Sequence, residues 1–210
     1  MIPAKQAHLH PAALTHPGMT GKNNEDQYAI SAYKLSEEDP TPVVLGIVAD
    51  GIGGHNAGEV ASEIAVNTIS SIIAESDGSD PLGVLEKGFQ EASARIQAQS
   101  QRETGQQGMG STCVCTLIIG EKLYIASMGD SRIYLLRDGH FRQLTTDHSW
   151  IQKALDHGVI SPEEALDHPR RNIIHRYLGS AKSIEVDTRL RLKEGESDQE
   201  SEANQGMRLL

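Results

Sequence analysis

Three short acidic clusters stand where apolar runs end or beside glycines: Asn23-Asn24-Glu25-Asp26, Asp50-Gly51 and Gly129-Asp130-Ser131-Arg132. Carboxylates at strand ends can leave a buried sheet and converge on a cation. A site offering only oxygen ligands suits hard ions, magnesium or manganese. A pair of such ions activates water and clamps a phosphoryl group. Taken singly, each cluster also reads as ordinary chain punctuation: Asn-Glu-Asp as a turn, Asp-Gly as a turn dipeptide, Gly-Asp-Ser as a bend.

The elements that must position these clusters follow from the hydrophobic pattern. Residues 27–32 read as a short strand and 43–49, Val-Val-Leu-Gly-Ile-Val-Ala, as a buried one. The glycine-rich stretch 50–54 is expected to be a loop. A helix is expected from about Ala57, with Ala61, Ile64, Ala65, Thr68 and Ile72 in helical spacing, and a second with Leu82, Leu85, Phe89, Ala92 and Ile96 on one face. Strands are predicted at 112–119, 123–127, 131–137 and 141–144, with a hairpin turn at Asp138-Gly139. Ser161-Pro162-Glu163-Glu164 carries a capping box and proline at the first helical position. Residues 184–192 alternate as a half-exposed strand. Two long helices thus separate an early strand pair from an antiparallel meander, an α+β order.

The totals exclude several classes. A net charge of -10 over 210 residues argues against nucleic-acid binding. Part of that charge lies in the run 194–202, which reads as solvated chain. Aromatic residues make up 4%, so the core must be aliphatic. Cys113 and Cys115 share one strand face, where a disulfide is disfavoured, and read as reduced core thiols in a cytoplasmic protein. No run is long and apolar enough to suggest a signal peptide or a membrane partner. Residues 1–16 are expected to form a flexible leader.

The sequence resembles the PPM family, the metal-dependent type 2C protein serine/threonine phosphatases, in its bacterial form. The resemblance is carried by segments 18–26, 48–55, Gly110-Ser111-Thr112, 126–134, Thr146-Asp147-His148-Ser149 and 171–179, which occur in the family order. It implies a four-layer α-β-β-α sandwich, two antiparallel sheets flanked by helices, over residues 17–210, with a metal centre at one end. It implies two to three Mn2+ or Mg2+ ions. Asp50 would bridge two of them, Gly51 would give its backbone carbonyl to one, Glu25 and Asp26 would hold waters or help ligate, and Asp130 would serve a third. The implied reaction is hydrolysis of phosphoserine or phosphothreonine on proteins by a metal-activated water, without a covalent enzyme intermediate. Phosphoproteins, and a serine/threonine kinase whose action is opposed, are the implied partners. His55 is a candidate for proton transfer, while Asp147, His148, Ser111 and Thr112 are expected to be structural.

Three departures from the family pattern carry consequences. Bacterial members have an arginine five residues before the aspartate of Asn-Glu-Asp; here that position is Gly21, followed by Lys22. Lys22 can bind the substrate phosphate as a point charge, with a loss of about 1–3 kcal/mol relative to arginine's two-pronged contact. Ile52 stands where some members have a histidine proposed as general acid. Residues 206–210 resemble the strand leading into a Ser-Asp-Gly segment that, with a later aspartate, supplies further metal ligands. The expectation is therefore a domain lacking its C-terminal part, with this polypeptide inactive or nearly so. An inactive pseudophosphatase acting as a binding or regulatory module is the alternative.

Overall fold

The computed structural model describes residues 1–19, 23–53, 57–180, 184–190 and 207–209. Lys22, Gly21, His55 and the acidic run at 194–202 lie outside them. Two antiparallel sheets organise the chain. The larger uses β1 (Ile2–Pro3), β2 (Asp26–Lys34), β3 (Pro42–Ile52), β5 (Cys113–Ile119), β6 (Lys122–Met128) and β9 (Asp187–Leu190) in that spatial order, with the short β4 (Gly110–Ser111) on the end of β3. The smaller has β7 (Ile133–Arg137) between β8 (His140–Gln143) and β10 (Met207–Leu209).

Helices α1 (Ala57–Glu75) and α2 (Pro81–Arg102) cover one face of the larger sheet. Ala61, Ala65, Ile69 and Ile73 of α1 and Leu85, Phe89, Ala92 and Ile96 of α2 form the main core with Leu45, Ile47, Cys113, Cys115 and Leu117. Both cysteines are free and buried, as expected. The α1 stripe is mostly small residues, so its backbone can come close to β3. Asp80 caps α2 by accepting the Gly83 N–H at 3.0 Å, with Pro81 at the first helical position.

The opposite face of the larger sheet packs on the smaller one. Val44, Val114, Ile118, Leu123 and Ile125 meet Ile133, Leu135 and Leu144 in a second core. The β7–β8 turn at Asp138 (φ 49°) and Gly139 (φ 75°) has both central residues left-handed, which matches the twist of a tight hairpin. The outer face of the small sheet presents Leu136, Phe141 and Tyr134, the last two stacked at 4.6 Å. The described residues thus form three of the four expected layers, helices, sheet and sheet. The short helices α3 (Trp150–Asp156) and α4 (Pro162–Leu166) belong to an excursion between the sheets' strands instead, and Ser161 closes the capping box on α4 as predicted.

Two expectations are corrected. The start of the chain is built in: β1 pairs with β2, Ala4 N–H donates to Ala32 C=O at 2.9 Å, and the Met1 nitrogen donates to the carbonyls of Ala74 and Ser76 at the end of α1. Ala7 and Leu9 rest on the second core. A short segment without strand periodicity is held there by tertiary contacts that no local signal announces. The expected loop at 50–54 is also partly strand, since β3 continues through Asp50 and Gly51 to Ile52 and pairs with β4.

Candidate metal centre

The register of β2 and β3 sets Asp26 directly opposite Asp50. Adjacent cross-strand positions place their side chains on one face, so two carboxylates meet where like charges normally destabilise a sheet. Glu25 precedes them: its carbonyl accepts the Gly51 N–H at 3.1 Å and the Ser62 hydroxyl of α1 at 2.6 Å. The Glu25 side chain lies against the start of α1, where a Cβ added to Gly58 would sit 2.7 Å from its Cδ. A Cβ on Gly51 would in turn overlap the Gly58 carbonyl. Glycine is needed at 51 and 58 for this close approach of strand and helix, and no turn is involved.

The backbone of Asp50 is held from the other side. Its N–H donates to Thr112 Oγ1 at 3.1 Å, and its carbonyl accepts the Thr112 N–H at 2.8 Å and the Ser111 hydroxyl at 3.0 Å. Thr112 Oγ1 accepts from Asp50 and also shares a hydrogen bond with Ser131 Oγ at 2.6 Å. One buried hydroxyl therefore ties the Asp50 end of β3 to the Gly129-Asp130-Ser131 turn at the end of β6. Gly129 takes φ 107° there, and a Cβ on it would lie 2.6 Å from Thr112 Cβ. Ser111 and Thr112 both hold the backbone of Asp50.

The electrostatics show what the cluster is suited to hold. The Asp50 carboxyl is pushed up to about 6, first by burial, then by the charges of Asp26, Asp130 and Glu25, with a hydrogen bond to Asp26. Asp130 is also raised, by burial and by Asp147, with Arg132 and His148 working against the shift. Neighbouring carboxylates whose charge is disfavoured by burial and by one another offer an oxygen-only donor set for positive charge. Among the described residues, no three His, Cys, Asp or Glu side chains close into a ready-made cage. The donor set fits hard cations that keep much of their own water, as magnesium does. The structure thus brings together Glu25, Asp26, Asp50, Gly51 and Asp130, with Lys22 outside the described residues.

A match to the protein phosphatase 2C family spans residues 18–153. This chain belongs to that family. It is 40% identical over 184 residues to the serine/threonine phosphatase stp of Listeria monocytogenes, covering 86% of this chain and 71% of that protein. The serine/threonine phosphatase of S. agalactiae superposes with a TM-score of 0.75 at 34% identity, over 86% of this chain and 73% of that one. The catalytic domain of the phosphatase PstP, in complex with two manganese ions, does so with a TM-score of 0.67 at 33% identity, over 82% of this chain and 68% of that one.

Two side-chain pairings adjoin the Asp130 turn, and one of their members, Asp187, was missed by sequence reasoning. Asp147 is gripped by Arg132, whose Nε and Nη2 approach its two oxygens at 2.6–3.1 Å. Asp187, read only as part of an alternating strand, accepts from Arg176 Nη2 at 3.1 Å and lies 3.1 Å from His148 Nε2. Burial alone would raise the Asp187 carboxyl, but His148 and Arg176 hold it below its usual range. No local pattern links residues 39 positions apart, so this pairing was invisible in the sequence.

Proposed function

We propose that this chain acts in the hydrolysis of phosphoserine and phosphothreonine on proteins, with manganese or magnesium at the Asp50 cluster. The observation that supports it most is Asp50 set directly opposite Asp26 across the strand pair, its carboxyl raised by burial and by the charges of Asp26, Asp130 and Glu25, in a chain of the 2C family. Bound cations supply an activated water and neutralise charge on the phosphoryl group. Asp50 and the Gly51 carbonyl hold them, with Asp26, Glu25 and Asp130 as further ligands or as acceptors for their waters. Glu25 and Asp26 fix the Gly51 end of the strand pair, and Thr112 holds Asp50 to the Asp130 turn. Lys22 is proposed to bind the substrate phosphate. Residues 17–210 belong to a phosphatase domain whose physiological substrates are phosphoproteins of a serine/threonine kinase in the cytoplasm. Among the described residues no helix is long and apolar enough to cross a membrane. The relatives carry phosphatase names, which leaves the binding-module alternative without support.

The test is manganese-dependent release of phosphate from a phosphothreonine peptide. Release that needs the metal and is lost in Asp50→Asn supports the reading. Folded protein that binds manganese and releases no phosphate from phosphothreonine or phosphoserine peptides overturns it.

A further inference from the structure

The Gly129-Asp130 turn is held by more than its own strand. His148 N–H donates to Gly129 C=O at 2.9 Å, and Gly129 N–H donates to His148 Nδ1 at 3.1 Å. The ring and the backbone of one residue thus grip both polar groups of one glycine. Since Nδ1 accepts, the ring proton must sit on Nε2, which points at Asp187 Oδ2 3.1 Å away. Asp187 is held in turn by Arg176, which also donates to the Glu185 carbonyl at 3.2 Å. His148 is 6% exposed, so its two ring bonds have no water to replace them.

We propose that His148 is the positioning residue for Asp130. Asp187 selects the Nε2–H tautomer, leaving Nδ1 free to accept the Gly129 N–H. That bond fixes Gly129 at φ 107°, the left-handed-side conformation that turns the chain after β6 and aims Asp130 toward Asp50. The ring touches no reacting atom. Its neighbour Arg176 sits on the segment 173–178, which bridges back to Ser111 through Leu178 and to Ser149 through Ile174. The clamp therefore draws on three separate stretches of chain, all converging on one turn. Outer residues of this kind orient the groups that hold a metal, and their loss lowers metal affinity. The inference rests on the phosphatase reading only for what Asp130 is there to hold.

The two ring nitrogens can be imitated separately. In His148→Asn the amide oxygen stands near the place of Nδ1 and can still accept from Gly129; in His148→Gln the amide group reaches the place of Nε2 and serves Asp187 alone. Each variant loses one ring bond, so a merely structural histidine would give matched behaviour. The expected result has two parts. In metal-free protein the Gly129 amide exchanges its hydrogen about ten-fold faster or more in His148→Gln, and stays near the wild-type rate in His148→Asn. Calorimetric titration with manganese alone shows binding weakened about ten-fold or more in His148→Gln only. Equal exchange rates in the two variants overturn the inference. If the buried ring does not tolerate either change, Asp187→Ala and Asp187→Asn make the same comparison from outside it. The alanine is expected to speed Gly129 exchange and the asparagine, still an acceptor for Nε2–H, to leave it. Equal rates there overturn the proposal as well. Wild-type protein that takes up no manganese overturns Asp130 as a ligand, whereas uptake without phosphate release overturns the phosphatase reading and leaves the clamp standing.

Discussion

Replacing Thr112 with valine isolates the hydroxyl that joins the Asp50 end of β3 to the Asp130 turn. Thr112 is fully buried, and valine has nearly its shape, so no cavity forms. What goes is the acceptor for the Asp50 N–H at 3.1 Å and the hydrogen bond shared with Ser131 at 2.6 Å. A buried donor left without a partner costs about 1–3 kcal/mol. Ser131 is only half-buried and can turn to water, so its share is small. The expected loss is about 2 kcal/mol, which for a chain of this size lowers Tm by about 4–8 °C. Thr112→Ser keeps the hydroxyl and removes one buried methyl, for about 1 kcal/mol. Denaturant unfolding of metal-free protein should rank wild type above serine above valine. Manganese titration should show the valine variant weakened by about ten-fold and the serine variant little changed. A valine variant as stable as the serine one would falsify the claim that this hydroxyl ties Asp50 to the Asp130 turn.

Further outcomes follow from the same geometry. Asp50→Asn should remove activity yet stabilise the metal-free protein at pH 7. The Asp50 carboxyl is raised from 3.8 to about 6, a ceiling of about 3 kcal/mol that access of water reduces to about 1 kcal/mol. The sign follows from linkage: a raised carboxyl makes the wild type lose stability as pH climbs from about 4 through 6, and the asparagine variant should lack that slope in denaturation measured across the window. Gly58→Ala, which in an open helix would gain about 1 kcal/mol, should here destabilise the fold and lower activity, because the new methyl meets Glu25 and Gly51. Unchanged activity and a higher Tm would refute that packing. Arg132→Lys should lose the forked grip on Asp147 and lower stability by about 1 kcal/mol in denaturant titration, since a lysine makes one of the contacts at most.

The local signals in the sequence were strong where local chemistry decides the outcome. Asp138-Gly139 could only be a tight turn, and Ser161 with Glu164 could only start a helix. The carboxylates at 25, 26, 50 and 130 were visible through their glycine and strand-end context. The continuation of β3 through Asp50-Gly51 was hidden, because glycine serves a turn and a close packing contact equally well. Here Gly51 answers to Gly58, a residue on another element. The anchoring of residues 1–9 and the reach of Asp187 to His148 depend on sheet order, which no stretch of neighbouring residues encodes. The outer face of the small sheet bears Leu136 and Phe141 uncovered among the described residues, where four layers were expected.

The protein has a single tryptophan, Trp150. It stands at the start of α3, stacked on His168 at 4.5 Å with the Arg170 guanidinium 5.1 Å over its ring, and belongs to neither core. Intrinsic fluorescence is therefore a private channel to the excursion between residues 149 and 178. A charged neighbour on the indole face makes its emission sensitive to whether that stack is intact. An unfolding curve followed by this signal reports the excursion, while circular dichroism reports the sheets and α1 and α2. If the two transitions separate, the excursion opens as its own unit, and a single Tm no longer describes the molecule.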